Sequence, residues 1–237
     1  MREPRKYVFG FDETFTMQLV SDAGKAFGTH VDELLLSALG LAVQEVSGNS
    51  TAGICVESHG REQLHGNLDI GRTVGWFTSY FPVALELKET WRDFIVNTKE
   101  IMRHIPKKGI GYTLMFGGIP EKTDIVYNFF GTVKGSDKYI FSTLTPETIR
   151  NNLPDRIFIN TVILNGRFYA VLSAYIDRMS DIVEKLGKAY EEKIREIADY
   201  CVEYKGNVKT VSDYSDSGLK KSELEDFERM FEDGENE

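Results

Sequence analysis

Residues 156–175 read RIFINTVILNGRFYAVLSAY, and the fold turns on this stretch. Arg156–Leu164 is an apolar, β-branched run. Asn165-Gly166 is a dipeptide that tolerates positive φ at both central positions of a two-residue turn. Arg167–Tyr175 is a second β-rich run, so the stretch predicts an antiparallel hairpin. Directly after it, Met179 to Tyr204 sets Ile182, Leu186, Tyr190, Ile194, Ile197 and Cys201 at helical spacing, which predicts a long amphipathic helix facing inward. A hairpin followed by such a helix is the beginning of a helix-on-sheet layer.

Working toward the N-terminus, Asp124 to Phe130 is a β-rich run that Gly131 should end. Trp91, Phe94, Ile95, Thr98 and Met102 share a helix face, broken by Pro106-Lys107-Lys108-Gly109. Val74 to Leu87 reads as extended, with Pro82 placing it at an edge. Ala52 to Glu57 (AGICVE) is a compact apolar run suited to a buried strand. Before it, a helix carries Leu35, Leu39, Ala42 and Val46 on one stripe, starts at a capping-box-like Thr29…Asp32 and stops at Gly48-Asn49. An earlier helix from about Thr14 to Phe27 turns Thr16, Val20, Ala23 and Phe27 inward and stops at Gly28. Tyr7 to Phe11 is a short strand. Interleaved helices and strands with an antiparallel hairpin predict an α/β fold, a mixed-sheet α/β sandwich.

Bulk properties narrow the function. The chain has 237 residues, 41% hydrophobic and 27% charged, which is ordinary globular composition. Its net charge of -9 disfavours nucleic acid as a partner. Two distant cysteines, Cys55 and Cys201, make no disulfide framework, so a reduced, cytoplasmic protein is expected. No apolar run is long enough to span a membrane. The chain starts almost directly in a strand, which reads as a start inside a longer protein. From Lys205 onward Asp and Glu dominate, Ser215–Gly218 is a linker, and Ser222 with Glu225 could cap a short helix bearing Leu224, Phe227 and Phe231.

Three clusters could carry chemistry. Glu57-Ser58-His59-Gly60-Arg61-Glu62 follows the buried run directly, and the end of a strand is where α/β proteins place their sites. A carboxylate there, next to an apolar interior, has a raised pKa suited to a proton-abstracting base. The plainer alternative is an ion pair of Glu57 with Arg61 or Arg72. Arg72 to Val83 (RTVGWFTSYFPV) sets aromatics around a glycine after a cation, and a core strand with an edge proline explains it equally well. Tyr127-Asn128-Phe129-Phe130-Gly131 places an amide among aromatics, where a satisfied buried Asn is the plainer reading. The four histidines have no metal-ligand spacing.

In order and spacing these clusters, with Asp32–Gly40 and Pro106–Tyr112, resemble the C-terminal half of an epimerization domain of nonribosomal peptide synthetases, within the condensation-domain superfamily. Each lobe of that superfamily is similar to a chloramphenicol acetyltransferase monomer. The resemblance implies a C-terminal lobe over residues 1–205 and an acidic linker or tail with a short helix over 206–237. It implies that Glu57 is the acid/base of this lobe, while the partner histidine sits in a His-His-x-x-x-Asp-Gly motif of an N-terminal lobe. No such motif occurs here, so the chain alone should be inactive. By the same resemblance Asn128 and Phe129 line the substrate site, with His59, Arg61 and Arg72 beside it. Phe129 stands where a Tyr is usual, Ser58 and Thr113 where Gly is usual. The implied substrate is an aminoacyl or peptidyl thioester on the phosphopantetheine arm of a carrier domain. No cofactor is expected on this chain itself. Its implied partners are the missing N-terminal lobe and the carrier domain, with weak homodimerisation through the exposed pairing face. A lobe of a peptide-bond-forming condensation domain and a degenerate docking module are the competing readings.

Overall fold

The computed structural model describes residues 5–62, 70, 72–120, 123–136, 156–174 and 180–214. Six strands form one sheet: β1 (Arg5–Phe11), β2 (Thr51–Ser58), β3 (Ser79–Glu86), β4 (Ile125–Val133), β5 (Ile157–Leu164) and β6 (Arg167–Ala174), in the order β1-β6-β5-β4-β2-β3. β2–β4 and β4–β5 are parallel, and the other pairs are antiparallel. The predicted hairpin is β5–β6, with Asn165 and Gly166 at φ 51 and 84 in its turn. Pro82 sits on β3, an edge strand, opposite Cys55. This is the expected α/β fold, a mixed sheet with helices layered against it.

The helices are α1 (Glu13–Met17), α2 (Val31–Ser47), α3 (Trp91–His104), α4 (Ile110–Phe116) and α5 (Ser180–Glu203). Leu35 and Leu39 of α2, Phe94 and Ile95 of α3, and Tyr190, Ile194 and Ile197 of α5 share one core with Ile54, Tyr127, Ile159, Phe168 and Leu172 of the sheet. The sheet's other face carries two smaller clusters. Cys55, Val126 and Phe158 pack with Tyr80 and Ile119, while Val162, Leu164 and Val171 pack with Val133 and Tyr169.

Several local expectations shift. The first helix is α only to Met17, then widens into a π-turn over Gln18–Asp22. Leu19 turns inward and Val20 is 44% exposed. The cap of α2 lies one residue later than expected, at His30, whose backbone N–H donates to Glu33 Oε2 at 2.8 Å. On α5 Val183 is buried and Ile182 is exposed. Gly131 does not end β4. It takes φ 75 inside a register irregularity between Phe129 and Thr132, and pairing resumes beyond it. Segment 74–78 precedes β3 and is not part of it, and α4 follows the break at Pro106–Gly109 where the sequence pattern marks no helix. The expected helix at Ser222 lies outside the described residues.

Candidate active site

Only residues 48–50 separate α2 from β2, so the chain reverses and the start of α2 lies beside the end of β2. Parallel β4 runs beside β2 up to this level, where Glu57 pairs with Asn128 in the last rung between the two strands, and β4 continues beyond it to Val133. Asn128 pairs in turn with Asn160 of β5, and Glu57 pairs on its other side with Tyr80 of β3. Cross-strand partners share a face, so Tyr80, Glu57, Asn128 and Asn160 form one row. Their side chains project from the face that the main helices do not cover, between its two apolar clusters.

At this end of the sheet a cleft of about 1330 Å³ opens. Val56, Glu57, Ser58 and His59 of β2 and its loop line it, together with Thr78, Phe81 and Tyr127–Gly131. Its other lining comes from Gly28, His30, Asp32, Glu33 and Leu36 around the start of α2, from Met102–Ile105 at the end of α3, from Lys108, and from the segment Lys209 and Val211–Tyr214.

Glu57 is half-buried and has neither a hydrogen bond nor an ion pair among the described residues. Burial alone pushes its carboxyl up to about 7. The simple ion-pair alternative is thereby overturned. Arg61 points away from Glu57: it donates to the carbonyls of Ile70 (2.8 Å) and Thr73 (3.0 Å) and lies 4.2 Å from the centroid of the Phe77 ring. Arg72 is exposed. Neither arginine lines the cleft, so the expected set of six divides. Glu57, His59, Asn128 and Phe129 converge there, while Arg61 clamps the loop that carries His59 and Arg72 stands outside.

The loop has a physical reason for its glycine. Gly60 adopts φ 63, and a Cβ at that position would collide with the Phe77 carbonyl. His59 Nδ1 accepts the Arg61 backbone N–H at 2.9 Å, so the ring's remaining proton is on Nε2, which faces Glu62 Oε1 at 3.2 Å. Thr113 hydrogen-bonds both backbone groups of Tyr80, at 2.7 and 3.1 Å, fastening α4 to the start of β3. A glycine at that position could make neither bond.

Some lining residues were not singled out beforehand. His30 and Asp213 carry no motif of their own, Lys108 belongs to the Pro106–Tyr112 stretch without having been assigned a site role, and the fold brings all three in. Asn160 had a local signal, a polar residue inside the apolar run of β5, but its register beside Asn128 needs the sheet. Among the described residues no cluster of His, Cys, Asp and Glu could hold a metal ion. No helix of the described residues is long and apolar enough to cross a membrane.

Residues 3–147 match the family model described as Condensation domain. Tyrocidine synthase 1 of Brevibacillus parabrevis is 32% identical over 239 residues, covering 90% of this chain and 22% of that protein. Bacitracin synthase 1 of Bacillus licheniformis is 31% identical over 226 residues, covering 89% of this chain and 4% of that protein. Among solved structures, the epimerization domain from the third module of tyrocidine synthetase B superposes with a TM-score of 0.68 at 27% identity, covering 84% of this chain and 49% of that one. The first condensation domain of the CDA synthetase shares the fold, with a TM-score of 0.56 at 13% identity, covering 84% of this chain and 46% of that one. The chain thus spans under a quarter of these two curated relatives and about half of either solved domain.

Proposed function

The chain belongs to the condensation-domain family, and from that premise we propose that it is the C-terminal lobe of an epimerization domain in a nonribosomal peptide synthetase. In this reading it supplies one of two acid/base groups that invert the α-carbon of a carrier-bound aminoacyl or peptidyl thioester. The observation that carries the reading is Glu57, a carboxylate at a strand end without a partner among the described residues, open to the cleft and raised to about 7 by burial. A base with that affinity for protons is half-ionised near neutral pH and can both take and return one.

The chemistry is a balanced exchange. Glu57 removes the α-hydrogen as a proton, and the bonding pair delocalises into the thioester carbonyl as an enolate. An acid on the opposite face, a histidine of the N-terminal lobe, returns a proton to the carbon. Nothing is oxidised or reduced. Asn128 shares the row with Glu57 and is placed to orient the acyl group, while Phe129 adds an apolar contact on the cleft wall. The substrate arrives on the phosphopantetheine arm of a carrier domain, and this chain binds no cofactor of its own. Val74 and Trp76, 98% and 84% exposed in the segment leading to Thr78, suit a surface that another lobe covers.

The test pairs this chain with an epimerization-domain N-terminal lobe that bears the histidine motif and supplies an L-aminoacyl carrier domain in deuterated water. Deuterium at the α-carbon and a D-product are expected, and Glu57→Gln should lower the rate by about 10²–10⁴-fold. Peptide-bond formation with an acceptor carrier, insensitive to Glu57→Gln, would instead establish a condensation-type lobe.

A further inference from the structure

After α5 residues 208–213 stay against the helices. The Val208 N–H donates to the Ala26 carbonyl at 2.7 Å, and Thr210 Oγ1 donates to Glu100 Oε1 at 2.5 Å. Ser212 also hydrogen-bonds Glu100. Asp213 is the anchor. Its carboxylate accepts from Lys99 Nζ at 2.8 Å, from Arg103 at 2.7 Å and from the Thr210 N–H at 2.8 Å. The Lys99 side chain is fully buried and also donates to the Phe27 carbonyl at 2.7 Å. Arg103 reaches from Asp213 to Glu33 at the start of α2 (2.7 Å) and to the Gly28 carbonyl (2.6 Å). Gly28 is held at φ 59, where a Cβ would stand 2.9 Å from Asp213 Oδ1.

Four of these elements, the Gly28 turn, the start of α2, the end of α3 and residues 209 and 211–214, line the same cleft as Glu57. A flexible tether would make no such contacts: a buried ammonium and a forked guanidinium spanning three segments fix geometry at high cost if any one member is lost. We infer that residues 206–214 are a strap forming a wall of the active-site cleft, and that Arg103 and Asp213 are positioning residues. They hold the strap and the start of α2 at the spacing that accepts the thioester-bearing arm. The functional half of this inference rests on the proposed epimerase reading, but the placement of the strap does not.

Amide hydrogen exchange on the full chain tests the placement. Amides of Val208, Thr210 and Asp213 should exchange at least about 100-fold slower than free peptide. Asp213→Asn should release them and raise exchange at His30–Leu34, leaving β2 and β4 protected. Because Asp213→Asn strands a buried Lys99, a Lys99→Met/Asp213→Asn double variant keeps the fold while still freeing the strap. In the reconstituted two-lobe enzyme the double variant should raise KM about tenfold with kcat changed less than about threefold, whereas Glu57→Gln should lower kcat. Free-peptide exchange of residues 208–213 in the native chain, or a loss confined to kcat, overturns the inference. If the native pair inverts no thioester, the epimerase reading fails, while the exchange pattern still decides whether the strap is a wall.

Discussion

Glu57 shows how far residue-level reading reaches. Its place after an apolar run marks it as a candidate base from the sequence, but the sequence cannot separate a free base from half of an ion pair. That choice depends on where Arg61 goes, and Arg61 is drawn off by the carbonyls of Ile70 and Thr73 and by the Phe77 ring. The raised carboxyl has a thermodynamic signature. Between about 4.5 and 7 the folded chain holds a proton that the unfolded chain releases, so stability falls as pH rises through that window. Glu57→Gln removes this loss. The variant should match the native chain near pH 4.5 and exceed it above pH 7 by on the order of 2 kcal/mol in denaturant unfolding. The half-buried position tempers that figure, and equal stability at pH 8 would mean that the carboxylate is solvated. Gly60 makes a second residue-scale prediction. With φ 63 and no room for a Cβ under the Phe77 carbonyl, Gly60→Ala should cost about 1–3 kcal/mol in denaturant unfolding and displace His59, read as changed ring chemical shifts by NMR.

At the scale of elements, periodicity carried most of the fold. The hairpin, α2, α3 and α5 all have stripes or turn residues strong enough to read. The misses have specific causes. Val20 and Leu19 are equally good candidates on an α-helix, and only the π-turn over Gln18–Asp22 selects Leu19. Gly131 reads as a stop but accommodates a bulge, because β4 keeps its partner β5 beyond it. α4 is seven residues and carries no charge, so it has no polar face to reveal its period. The strap is least legible of all, since a short polar stretch after a long helix resembles a linker and its partners, Lys99 and Arg103, lie over a hundred positions upstream. Burial works against the charge of Asp213, yet hydrogen bonds from Lys99, the Thr210 amide and Arg103 outweigh it and hold the carboxyl down at about 2. A depressed carboxyl contributes stability that is complete above its unfolded value of 3.8 and is lost as pH falls toward 2. The acid limb of unfolding, followed by circular dichroism, should therefore be shallower between pH 4 and 2 in Lys99→Met/Asp213→Asn than in the native chain.

At the scale of the whole molecule, the two faces of the sheet are unequally served. One is buried under α2, α3 and α5. The other carries two small apolar clusters on either side of the row that contains Glu57. Near its β3 edge the chain exposes Val74 and Trp76 almost fully, and Leu114, Met115 and Phe116 of α4 at 76%, 73% and 68%. Monomers rarely leave large apolar side chains this open, and the proposed inversion calls for a second acid/base group on the far side of the substrate. Both considerations call for polypeptide opposite Glu57. In the proposed assembly that polypeptide is the N-terminal lobe, and when it is absent a second copy of this chain is the available substitute. Light scattering should then show the isolated chain self-associating weakly as concentration rises. Adding the N-terminal lobe should replace that species with a one-to-one pair, and Trp76→Ser should weaken both associations by about tenfold, the usual scale for truncating an aromatic anchor. A chain that stays monomeric at millimolar concentration and ignores the lobe would place the site's second wall elsewhere, and with it the acid of the proposed inversion.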